Sequence, residues 1–183
     1  MKINQRPRPA RRPGKFERAT PAVLACAMLA LAGCAGYRVG STLPPDIKTI
    51  HIPTFTNKAK QPLIEVEATR RAVSEFQRDG TLRITGAAEA DVILEVTITD
   101  LTLTPLRYKR NDRSTPNEYR MKLTASYRLK RAETDAIIGE SPKIVGETTF
   151  PYSGGMQAAI QTALPDAADD LGRRLVESVV ELW

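Results

Sequence analysis

The chain has 183 residues, with 27 Lys/Arg against 21 Asp/Glu, 42% hydrophobic residues, two cysteines and one histidine. That length suits one domain with a real core, and the apolar content excludes a disordered chain. Two Cys and one His exclude a four-ligand structural zinc site and a multi-disulfide scaffold, and no apolar run is long enough for a spanning helix.

The formal charge of +6 is concentrated at the start. Lys2, Arg6, Arg8, Arg11, Arg12, Lys15 and Arg18 face a single acid, Glu17, and residues 22–32 form an apolar stretch ending in Gly33-Cys34. A basic segment, a short apolar segment and small residues before a cleavage point mark a secretory signal. Arg11-Arg12 is followed by Pro13, a poor match to a twin-arginine signal, so general secretion is expected.

Leu31-Ala32-Gly33-Cys34 resembles the bacterial lipobox. The resemblance implies that residues 1–33 are removed and that Cys34 carries lipid. Ala35, rather than Asp, implies the outer membrane as destination. Several acyl chains, at about 0.8 kcal/mol per buried methylene, make a stable anchor. Processing removes seven basic residues and one acidic residue, leaving 20 of each and a net charge of zero. A nucleic-acid partner therefore loses its electrostatic support. Only Cys34 remains, so no internal disulfide can form.

Residues 34–46 are rich in Gly, Pro and Ser and read as a lipid-anchored tether, with residues 47–183 as one domain. Residues 47–52 form a β-rich run stopped by Pro53. Residues 62–79 are expected to be helical, with Val66, Thr69, Val73 and Phe76 on one face beside Ala72, Pro62 in the first turn, and Gly80 as the left-handed stop. Residues 82–85 make a short strand before a turn at residues 86–88.

In residues 91–99, Val92, Leu94, Val96 and Ile98 share a face. In residues 118–130, Tyr119, Met121, Leu123, Ala125, Tyr127 and Leu129 face one way, and Arg120, Lys122, Thr124, Ser126, Arg128 and Lys130 the other. Residues 144–152 supply a further strand. The C-terminal segment reads as a helix with Pro165 in its first turn. Asp166, Asp169 and Asp170 stand near its start, and Ala168, Leu171, Leu175, Val179 and Leu182 form the stripe. The expected fold is α+β: two helices on one face of a mainly antiparallel sheet of four to five strands, in the order β-α-β-β-β-β-α.

The sequence carries no G-x-S-x-G, Walker loop, G-x-G-x-x-G or H-E-x-x-H. His51 lies in a strand pattern without a nucleophile nearby, and Asp169-Asp170 is expected on a solvated helix face. Neither enzymatic activity nor a cofactor or metal is expected. The distinctive feature is basic: Arg120, Lys122, Arg128 and Lys130 on one strand face, with Arg107, Lys109, Arg110 and Arg113 in the loop before it. Such a row is either a solvated face with edge protection or an anion site.

The segments Cys34-Ala35-Gly36-Tyr37-Arg38-Val39-Gly40, Leu43-Pro44-Pro45-Asp46-Ile47-Lys48-Thr49-Ile50 and Ile52-Pro53-Thr54-Phe55-Thr56-Asn57 occur in that order. They are followed by Glu75-Phe76-Gln77-Arg78-Asp79-Gly80, Ala90-Asp91-Val92-Ile93-Leu94 and Thr104-Pro105-Leu106-Arg107-Tyr108. Together they resemble the LptE-type lipopolysaccharide-assembly lipoproteins along the mature chain. The resemblance implies a body of two helices on a sheet, seated as a plug inside the LptD β-barrel, where the pair delivers lipopolysaccharide to the outer leaflet. It implies no catalysis and no cofactor. The family's lipid contacts follow no fixed motif, so Arg107, Lys109, Arg110, Arg120, Lys122, Arg128 and Lys130 are candidates on this chain's own chemistry. A lipoprotein activator of a peptidoglycan synthase shares the strand-Pro-x-Phe-x-Asn turn and the Ala-Asp strand opening. The short tether speaks against that alternative.

Overall fold

The structure is a computed structural model that describes residues 43–110 and 112–181, with only the backbone of residues 112 and 113. The signal segment, Cys34, most of the tether and Leu182 lie outside the described residues. In chain order the elements are β1 (Thr49–His51), β2 (Thr56–Asn57), α1 (Ile64–Asp79), β3 (Arg83–Ile84), β4 (Val92–Lys109), β5 (Asp112–Arg131), β6 (Ile137–Pro151) and α2 (Met156–Val180).

The described strands form one six-stranded sheet ordered β3-β1-β4-β5-β6, with β2 also pairing on β4. β4, β5 and β6 are an antiparallel meander, while β1 and β2 run parallel to β4 along the same edge, one after the other. The period-two pattern of the two long strands holds: Val92, Leu94, Val96 and Ile98 of β4 and Met121, Leu123, Ala125, Tyr127 and Leu129 of β5 are buried. Both helices cover this one face, as expected of an α+β fold.

Four details depart from the sequence reading. α1 buries Ile64, Ala68, Ala72 and Phe76, and Val66 is exposed. Close approach selects this seam. The α2 backbone crosses at Gly172, where a Cβ would stand 3.2 Å from Ala72 Cα, so small residues outrank the larger Val66. Pro62 precedes the helix, which Leu63 opens in the left-handed region at φ 64, while Gly80 at φ 74 ends it as anticipated.

α2 begins at Met156, so Pro165 is internal and its carboxylates lie past the first turn. An interior proline costs about 3 kcal/mol, which burial of Ile160, Ala163 and Leu164 around it offsets. Asp169 and Asp170 are not on a free helix face. Asp169 accepts from Arg71 Nη1 of α1 at 2.8 Å, and Asp170 accepts the Glu147 amide of β6 at 2.9 Å. The third departure is the hairpin. β4 and β5 continue through Pro105 and Pro116, placing Arg107 and Lys109 in β4, Arg113 in β5 and only Arg110 in the turn. Register shifts after Pro105 and around Tyr108 absorb the missing donors, as prolines in strands require.

The fourth departure is at the sheet margins. β2 is a strand that its two residues conceal, and β6 starts at Ile137 because a register shift between Ala125 and Tyr127 carries the ladder past Pro142. The chain enters the sheet through a polar clasp. Asp91 Oδ2 accepts from the Lys48 amide at 2.9 Å, the Thr49 amide at 2.8 Å and Thr49 Oγ1 at 2.8 Å. Arg131 Nη1 reaches Asp46 at 2.6 Å beside it. These bonds fix where the segment following the tether joins the body.

Candidate functional site

The face of the sheet opposite the helices carries the basic row. β5 lies between β4 and β6, so its outward cations do not protect an edge. Their neighbours come from register. Glu95 pairs with Arg128 across β4–β5, and Glu147 with Lys122 across β5–β6.

The acids neutralise most of the row. One carboxylate, Glu95, takes Lys130 Nζ at 2.8 Å and Arg128 Nη2 at 3.3 Å. Lys122 Nζ stands 4.0 Å from Glu147, and Arg107 Nε stands 3.1 Å from Glu118. Each such exposed pair stabilises by only about 0.2–1 kcal/mol, but each cation spends part of its field on its partner. Arg120 is different. It faces Thr104 on β4 and Thr149 on β6, and no ion pair is formed by Arg120, Lys109 or Arg110 among the described residues.

The seven candidates therefore do not converge on one site. Arg120 and Lys130 are ten positions apart on one strand, about 34 Å at 3.4 Å per residue. The face divides into two regions. Around Glu95 lies a shallow groove of about 740 Å³, lined by Thr56, Thr97, Thr99, Ser126, Lys58 and Arg128. Lys58 joins Arg128 here through β2, a contribution invisible until β2 is seen to pair with β4 at Thr97 and Ile98. This region is hydroxyl-rich and charge-balanced.

The second region is the distal hairpin. Residues 103–120 hold five basic residues (Arg107, Lys109, Arg110, Arg113, Arg120) against two acids, Asp112 and Glu118. Leu106 and Tyr108 are exposed within it. Tyr119 stacks on Phe150 with centroids 6.0 Å apart and meets Tyr152 edge-on at 5.5 Å, stiffening the base of the hairpin. A stiff, cationic hairpin with exposed apolar side chains can hold a ligand that combines phosphates with hydrocarbon.

His51 is half-buried in β1 with Nδ1 3.2 Å from the Thr85 carbonyl, a position that serves the sheet. No cluster of His, Cys, Asp and Glu able to hold a metal occurs among the described residues. No described helix is long and apolar enough to cross a membrane.

These features define a small α+β protein with two helices on one face of its sheet and a polar, cation-bearing face on the other. The chain belongs to the LptE lipopolysaccharide-assembly family, whose model matches residues 47–179. Among solved structures it is similar to a protein from Xanthomonas campestris at 10% identity and TM-score 0.50, covering 76% of this chain and 90% of that one. It also matches an uncharacterized lipoprotein B from Nitrosomonas europaea (15% identity, TM-score 0.48, 75% and 84% covered). A minor lipoprotein from Acinetobacter baumannii matches at 11% identity and TM-score 0.47, with 75% and 93% covered. No curated protein sequence matches the chain.

Proposed function

We propose that this protein is a lipid-anchored outer-membrane assembly factor, held through Cys34 at the periplasmic side, that partners an LptD-type β-barrel in delivering lipopolysaccharide to the cell surface. The family match over residues 47–179 carries the reading. A polar sheet face rich in Thr and Ser suits a polar barrel interior, where hydrogen bonds rather than apolar burial make the fit. The lipopolysaccharide contact is assigned chiefly to Lys109, Arg110 and Arg120, with Arg107 beside them. Lys122, Arg128 and Lys130 are committed to Glu147 and Glu95. The protein acts without catalysis, cofactor or nucleic acid.

The test is affinity purification of the tagged, full-length lipoprotein from detergent-solubilised outer membrane, with partners identified by mass spectrometry. A large β-barrel in stoichiometric amount is the expected result. A peptidoglycan synthase in its place would overturn the reading in favour of a synthase activator.

A further inference from the structure

β4 is paired on both sides for only part of its length. β1 covers Val92 and Ile93, β2 covers Thr97 and Ile98, and the Lys58 amide donates to the Ile98 carbonyl at 2.8 Å. From Asp100 to Lys109 the strand is held by β5 alone among the described residues. An edge strand presents a row of unpaired amides and carbonyls, and natural sheets guard such rows with bulges, prolines and charged side chains. Here the guards stand at the two ends: a register shift between Ile98 and Asp100, then Pro105 and the shift to Arg107. Residues 100–104, Asp-Leu-Thr-Leu-Thr, lie between them without a Lys, Arg or Pro. They span about 17 Å of open ladder.

We infer that this stretch of β4 is a docking edge for an extended polypeptide segment of a protein partner, which adds a strand beside residues 100–104. Three features specify the occupant. Alternating donors and acceptors along a strand are matched only by another backbone. Leu101 and Leu103 lie half-exposed at the edge, on the side that packs against the core, and call for apolar side chains at alternate positions of the incoming segment. Arg107, Lys109 and Arg110 follow directly, so the segment carries acidic residues at the end nearest the hairpin turn. A second copy of this chain fits less well. Two-fold pairing centred on Thr102, the middle of the open stretch, would run Leu106 and Arg107 of each copy against Ile98 and Thr97 of the other, positions that β2 already occupies.

The experiment uses the mature, lipidated protein in detergent with ¹⁵N labelling and reads amide exchange by NMR. Two synthetic probes are added in turn, Asp-Glu-Val-Thr-Val-Thr-Val and Val-Thr-Val-Thr-Val-Glu-Asp, so that either strand direction is offered. One probe is expected to slow exchange of the edge-facing amides within residues 100–104 at least tenfold, and its N-methylated version to lose the effect. The inference is overturned if neither probe slows those amides at millimolar concentration, or if the N-methylated probe works equally well. It is also overturned if the amides slow with rising protein concentration alone, which would assign the edge to a second copy. None of these outcomes depends on lipopolysaccharide or on the barrel.

Discussion

Gly146 of β6 lies directly beneath Leu171 of α2. A Cβ at position 146 would stand 2.5 Å from the Leu171 amide nitrogen and 2.6 Å from Leu171 Cβ, and would also strike the Ala167 carbonyl. The helix backbone approaches the sheet so closely only because this position has no side chain. The short distance lets Ala167, Ala168 and Leu171 bury completely, or nearly so.

Gly146→Ala is therefore expected to destabilise the protein by about 3 kcal/mol, the upper end for overpacking, because backbone atoms cannot turn aside. Gly86→Ala, with open space around position 86, is the control and should shift stability by about 0.5 kcal/mol or less. Urea midpoints of the two variants decide the matter.

The clasp at the sheet entrance predicts acid sensitivity. The Lys48 amide first, with the Thr49 hydroxyl and amide, holds the Asp91 carboxyl below its ordinary value of 3.8. Arg131 does the same for Asp46. A carboxyl whose folded-state pKa is depressed contributes stability above its unfolded-state pKa and loses it as pH falls through the folded value. Stability should thus fall as pH drops below the ordinary carboxylate range. Asp91→Asn should cost about 1–3 kcal/mol at pH 7, from weakened hydrogen bonds to a buried Thr49. The gap between variant and parent should narrow towards pH 2, as followed by thermal melts across that range.

Charge reversal separates the two regions of the wet face. Lys109→Glu, Arg110→Glu and Arg120→Glu together should weaken lipopolysaccharide binding at least about tenfold and leave the urea midpoint near its parent value, since none of the three forms an ion pair among the described residues. Lys130→Glu should do the opposite. It sets a like charge against Glu95 and lowers stability by about 1 kcal/mol, with binding little changed. Retention of labelled lipopolysaccharide by each purified variant, beside its midpoint, reads both effects.

The seam of α1 gives a further contrast. Val66→Ala should be nearly neutral, within about 0.5 kcal/mol, because Val66 is exposed and Ala is the better helix former. Phe76→Ala should cost about 3–5 kcal/mol, since Phe76 is wholly buried. Equal costs would restore the seam read from side-chain size.

How much of this was visible in the chain depends on period and packing. Alternation over β4 and β5 identified the buried residues of both strands because one wet face imposes a strict two-residue repeat. The helix stripes were read less evenly. Ala168, Leu171, Leu175 and Val179 are buried as expected, but the α1 seam depended on how closely two helices cross, which one helix alone does not encode. A proline misled the reading of α2, where packing outweighs the cost of Pro165, and the strands run on past the loop read at residues 107–113 because Pro105 is tolerated where the ladder shifts register. At the candidate site the cations were plain, yet Glu95, Glu147 and Glu118 went unread as their partners. Register pairs Glu95 with Arg128, so correct strand pairing was the missing step.

The order of elements along the chain has a consequence for biogenesis. The meander joins neighbours in sequence and can form early, as local contacts do. Its inner face, with Met121, Leu123 and Leu129, is shielded largely by α2, which begins only at Met156. A chain that emerges from its amino end thus carries the paired strands with this part of the inner face uncovered until residues 156–180 follow. During that interval the open face is prone to aggregation, and shortening the carboxyl terminus should cost soluble yield before it costs affinity.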